Sequence, residues 1–157
     1  MQKITPFLWL DGHAEEAAAF YVSLFANSRI IETMRYGEAG PGQPGAVMLA
    51  EFELEGQRFI ALNGGGQFKF SPALSLFVDC QTQGEIDALW GKFCDGGRAI
   101  QCGWVTDKFG VTWQIVPNML LKLLQDKDTV RSQRVMRAMM QMVKLDIAAL
   151  QRAYDGD

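Results

Sequence analysis

Two helical stretches of the same design stand 69 residues apart in this chain, and each lies among short β-prone runs. His13–Ala26 sets Ala17, Phe20, Tyr21, Leu24 and Phe25 at helical spacing. Thr82–Asp95 does the same with Ile86, Leu89, Trp90 and Phe93. The displacement of 69 lays Ala17 on Ile86, Phe20 on Leu89, Tyr21 on Trp90, Leu24 on Phe93 and Glu16 on Glu85. A helix with one apolar side must bury it, and flanking strands are the surface on offer. The recurring order is β-α-β-β-β, an internal repeat visible in spacing more than in residue identity.

The first copy opens with Ile4–Leu10, closed by Asp11–Gly12. Asp11 is placed to N-cap the helix, and Glu15 and Glu16 sit where the helix dipole favours carboxylates. Arg29–Tyr36 is a strand candidate and Gly37–Gly45 a loop. Ala46–Glu55 alternates Met48, Ala50, Phe52 and Leu54 with Leu49, Glu51, Glu53 and Glu55, which predicts a sheet strand with one wetter face. Gly56–Gln57 turns the chain into Arg58–Asn63. The second copy begins at Leu74–Cys80 and continues after its helix with Ala99–Cys102, Gly103–Thr106 and Val111–Val116. Past Pro117 the pattern becomes helical: Leu120–Leu124, Val130–Val143 with Asp128 or Thr129 as cap, and a last helix capped by Asp146. Met136, Met139, Met140 and Met142 there form either a pliable ligand surface or, as the plainer reading, packing on the sheet or a second subunit.

At 157 residues the chain is expected to be a single domain, divided into modules 4–66 and 72–118 and a helical tail 119–157. Net charge is −3, and the tail's 7 basic against 5 acidic residues read as a solvated helix face, so no nucleic-acid partner is expected. No export signal and no membrane-spanning run is seen, and Cys80, Cys94 and Cys102 have no metal or disulfide spacing. The expected location is therefore cytoplasmic, without membrane association.

FLWLDGHAEEAAAFYVSLF early and CGWVTDKFGVTWQIVPN late resemble the vicinal oxygen chelate superfamily of glyoxalases, bleomycin-resistance proteins and extradiol dioxygenases. RYGEAGPG, EFELEGQRFIALNGG, QFKFSPALSLFVDC, QCGWVTDKFGVTWQIVP and KLDIAAL are similar to its PhnB-like family, often labelled demethylubiquinone methyltransferase. The resemblance implies an α+β fold in which two βαβββ modules form glyoxalase-like curved mixed sheets around a pocket, with a C-terminal helical extension. It also implies a homodimer.

Metal-dependent members of that superfamily hold a divalent ion with His, Glu or Gln from four strands. The matching positions here fall near Ile4, Ala61 and Pro72 or Ala73, none of which can coordinate, and at Gln114, which can. His13, the one histidine, starts a helix, and Glu51, Glu53 and Glu55 share a strand face without converging. No metal and no cofactor is expected. Pro41 and Pro44 spoil the Gly37–Gly45 loop as a nucleotide-binding turn, and the loop leads to a strand where a methyltransferase needs a helix. Cys102 with His13 makes no recognisable nucleophile–base pair, so no catalytic residue is assigned.

Aromatic residues on or beside strands remain: Trp9, Tyr36, Phe68, Phe70, Trp104 and Trp113, some of which must fill the core. A subset with a few polar anchors has the usual form of a small-molecule site. The binding candidates are Trp9, Tyr36, Glu51, Asn63, Cys102, Trp104 and Gln114. Three functions stay open: a metal-free binding protein for an unknown small molecule, an enzyme with a weak or atypical metal site, and an interaction protein whose pocket is filled by its own side chains.

Overall fold

A computed structural model describes residues 2–157. The chain divides into two compact units, one ending at Lys69 and the other beginning at Phe70.

In the first unit, β1 (Phe7–Leu10), α1 (Ala14–Leu24), β2 (Arg29–Arg35), β3 (Val47–Leu54) and β4 (Gln57–Asn63) build a four-stranded sheet of order β1-β4-β3-β2. β1 runs parallel to β4, and the other pairs are antiparallel. The alternation along β3 emerges as expected: Ala50, Phe52 and Leu54 are buried on the side that meets α1, together with Leu8, Leu10, Phe59 and Ala61. Ala14, Ala17 and Ala18 keep the helix close to the sheet, and Tyr21 reaches Phe52, which stacks on Phe59 at 5.4 Å between ring centres. Glu55 and Gly56 both take positive φ, the requirement of a two-residue hairpin whose twist matches its strands.

The second unit repeats this plan with β5 (Ser75–Cys80), α2 (Gln83–Cys94), β6 (Arg98–Ala99), β7 (Trp104–Thr106) and β8 (Thr112–Pro117), in the order β5-β8-β7-β6. Its parallel pair is β5 with β8. Ile86, Leu89 and Phe93 face the sheet, and Phe93 stacks on Trp113 at 4.6 Å. Thr82 caps α2 through Glu85 N, and Glu85 reaches back to Gln81 N. The buried positions of the two helices coincide best as Ala14 with Ile86, Ala17 with Leu89 and Tyr21 with Phe93, a displacement of 72. The sequence spacing of 69 was thus one helical turn short, because chain-length offsets between helix starts need not equal offsets between packing faces.

Three further helices complete this unit: α3 (Met119–Leu124), α4 (Thr129–Met140) and α5 (Ile147–Asp155). Asp128 and Asp146 cap α4 and α5 as expected. Leu120, Val135, Leu145 and Leu150 form a core with Val116 of β8, and Met139 and Met142 pack on it. The methionines therefore serve mainly in packing, although Met140 is exposed.

Three local expectations change. The first strand starts at Phe7, because Pro6 brings no N–H to the ladder; its carbonyl accepts from Ile60 N, and the Gln2 amide bonds the Arg58 backbone beyond it. Asp11 does not cap α1. His13 occupies the cap position with its ring on Glu16 Oε2 at 3.2 Å and makes no cap bond, and Asn63 at the end of β4 accepts from Ala14 N at 2.8 Å. The strand expected over Ala99–Cys102 shrinks to Arg98–Ala99, since Cys102 and Gly103 both have positive φ.

Candidate functional site

Each sheet has one face turned away from its helix, and the pairing register fixes which side chains share it. In the first unit, Phe7, Ile60, Glu51 and Glu32 form one row across the four strands. Trp9, Leu62, Leu49 and Met34 form the next. In the second unit a shorter row crosses β5, β8 and β7 as Phe77, Gln114 and Trp104.

The candidates in the first unit fall into two groups. Trp9, Tyr36 and Asn63 come together at the end of β4. Trp9 Nε1 donates to Gly65 O at 2.9 Å, its ring meets Phe68 edge-on, and the ring lies against Gly64. Tyr36 Oη donates to Asn63 O at 2.7 Å, while Gly40 and Gly42 lie against the Tyr36 ring. The Asn63 side chain bonds Val47 O and Ala14 N, so it ties β4 to β3 and to α1. Asn63 is thus a structural fastener. Gly64→Ala would set a methyl 2.3 Å from Trp9 Cε2. We expect it to cost about 1–3 kcal/mol by overpacking and to shift tryptophan emission as Trp9 is displaced, measured by denaturant titration and fluorescence.

Glu51 belongs to the other group. It pairs with Arg58, and Glu53 pairs with Arg29, both on the face away from α1. Glu55 leaves that face at the hairpin turn. The solvated-face expectation for this strand becomes one of ion-paired carboxylates beside an apolar row.

In the second unit Trp104 and Gln114 are direct cross-strand neighbours. Gln114 Nε2 donates to Ser75 Oγ at 2.9 Å. Phe77, which sequence reasoning passed over, stands on the other side of Gln114 and is 48% exposed. Its immediate neighbours Leu76 and Val78 are apolar as well, so alternation did not single out its face. Trp113 points the opposite way, into the core, where its Nε1 donates to the buried Asp107 at 2.9 Å. Cys102 is not in the row. Its N–H bonds Met142 O and its thiol bonds Met139 O, anchoring the C-terminal helices. Burial and the nearby Glu85 charge push the Cys80 thiol up to about 12, which leaves it without nucleophilic character at neutral pH.

The four metal-ligand positions can now be judged on the strands. Ile4 precedes β1 and is exposed; Ala61 faces α1 and is buried; Pro72 and Ala73 precede β5. The positions that do face away from the helices on the parallel pairs are Phe7, Trp9, Ile60 and Leu62 in one unit and Ser75, Phe77, Asp79, Thr112, Gln114 and Val116 in the other. Asp79 is the one carboxylate among them, Gln114 is bonded to Ser75, and Thr112 to Thr106. Among the described residues no group of three His, Cys, Asp or Glu is placed to hold an ion. These residues do not fit a divalent metal of the chelate type.

Twin βαβββ units, each with its first and last strands paired in parallel, define a protein of the glyoxalase-like class. Residues 2–116 match the family model for 3-demethylubiquinone-9 3-methyltransferase, and the chain belongs to that PhnB-like family. The solved structure of the PhnB protein from Bacillus cereus is 42% identical, with a TM-score of 0.69 over 74% of this chain and 99% of that one. A protein from Pseudomonas aeruginosa, 18% identical, shares the fold at a TM-score of 0.62, over 74% and 98% of the two chains. No functionally curated protein matches the chain.

Proposed function

We propose that this chain binds a small organic molecule without a resident metal, and that the second unit's row of Phe77, Gln114 and Trp104 is its contact surface. The observation that carries this reading is the row itself: two aromatic side chains flank one amide on a sheet face turned away from the helix. Aromatic flanks supply dispersion and apolar burial, and a single amide gives orientation through one donor or acceptor. That combination selects for a flat, mostly apolar ligand with one hydrogen-bonding group.

The family description names methyl transfer, yet nothing in the fold supports that reaction here. Each sheet holds one parallel pair, whereas a doubly wound cofactor-binding sheet is mostly parallel. The Gly37–Gly45 loop folds against Tyr36 and leads into β3 rather than a helix.

Titration with 1-anilinonaphthalene-8-sulfonate tests the reading. We expect saturable binding, weakened about tenfold or more by Trp104→Ala, since stacking and burial of one aromatic are worth on the order of 1–3 kcal/mol. Unsaturable binding, or full affinity in the variant, overturns it. Elemental analysis of the purified protein is expected to show less than stoichiometric zinc, nickel or iron; one ion per chain would refute the metal-free part. We further propose a homodimer in the cytoplasm. Three free thiols support the reducing compartment, and exposed Phe7 and Met34 support association. No described helix is long and apolar enough to cross a membrane. Light scattering that gives a monomer mass at all concentrations would refute the dimer.

A further inference from the structure

The family match stops at residue 116, and the Bacillus cereus PhnB protein is matched over nearly its whole length, yet this chain continues through three more helices. Those helices sit where the proposed ligand row ends. Along β8, Thr112, Gln114 and Val116 face away from α2 in turn. Thr112 is 1% exposed and bonded to Thr106; Val116 is 4% exposed, within the core built by Leu120, Val135, Leu145 and Leu150. Only Gln114, between them, is half open. The connection between α4 and α5 reaches the residues just before Trp104 of β7: Cys102 N donates to Met142 O at 2.9 Å and Gly103 N to Val143 O at 2.8 Å. Leu145 presses on Gly103 so closely that an added Cβ would lie 2.9 Å from its Cδ1.

We propose that the C-terminal helices are the size-selecting element of the ligand face, with Val116 and Met142 at the stop they build. This rests on the reading of the Phe77–Gln114–Trp104 row as the contact surface. The row crosses three strands, a width of roughly 10 Å, and cannot be extended along β8 past the Val116 core. A ligand held there is one or two rings wide. A substituent directed along β8 toward Val116 meets packed side chains.

The test uses the full-length protein and a series of 4-alkylphenols from methyl to hexyl, followed by isothermal titration. In the wild type, affinity should rise roughly fourfold per buried methylene, reach a maximum, and fall when the chain meets the stop. Val116→Ala should move that maximum one or two carbons longer. Met142→Ala, a partly buried position on the same core, should move it in the same direction and covers the case in which Val116→Ala fails to fold. Leu121→Ala, at an exposed position of α3, should leave the maximum in place. If the phenols bind but the maximum stays put in a folded Val116 or Met142 variant, the size-selecting role is overturned while the contact surface stands. If no alkylphenol binds the wild type, both fall together.

Discussion

Asp107→Ala should be among the most destabilising single substitutions in the second unit, at about 3 kcal/mol, because hydrogen bonds to a buried charged group contribute roughly 1.5–3 kcal/mol each and are partly redundant. Asp107 is 3% exposed. One carboxylate oxygen accepts from Phe109 N at 2.8 Å and Val111 N at 3.1 Å, and the other from Trp113 Nε1 at 2.9 Å. Removing the carboxylate leaves three donors without their acceptor and releases the turn that feeds β8. For a chain of this size the melting temperature should fall by about 6–12 °C in a thermal scan. Asp107→Asn retains one acceptor oxygen and should recover part of the loss. A fall of less than 2 °C in the alanine variant would show that the turn is held by its backbone alone.

Leu145→Ala should cost about 2–5 kcal/mol through the cavity it leaves. It should also change where the molecule opens first. Leu145 is fully buried, rests on Gly103, and lies between the segment that bonds Cys102 and Gly103 and the start of α5. Its backbone carbonyl accepts from Gln83 Nε2, and the Gln83 Oε1 accepts from Ile147 N, so the side chain of one α2 residue pins the same stretch. Without the leucine, the amides of Cys102 and Gly103 should exchange hydrogen much faster than those of β8, as local undocking becomes easier than global unfolding. Equal loss of protection throughout the second unit would mean that the helices and sheet open as one.

The repeat and its strands were legible because alternation at Met48–Leu54 and helical spacing at Ile86–Phe93 report directly on one buried side. Caps at Asp128 and Asp146 were legible for the same local reason. The cap of α1 was not: Asn63 is 49 positions after the amide it satisfies, and only the parallel pairing of β1 with β4 brings it there. The candidate site was legible by residue type and not by side. Trp104 and Trp113 are alike in sequence context, yet one lies on the row with Gln114 and Phe77 and the other under α2. Cys102 looked like a pocket residue because nothing local announces a left-handed backbone at a non-glycine position. Phe77 was hidden in an apolar run whose facing is set by register alone.

In each unit the first strand is hydrogen-bonded to the last, so Phe7 must wait for Ile60 and Ser75 for Thr112 before either ladder can close. Such closures over long intervening chain are slow relative to local hairpins. During synthesis the first unit has all its strands once Asn63 has emerged, whereas Val116 finds its cover only when Leu145 and Leu150 follow. A ribosome paused between those points carries one module with its strands paired and one still exposing Val116 and its apolar neighbours.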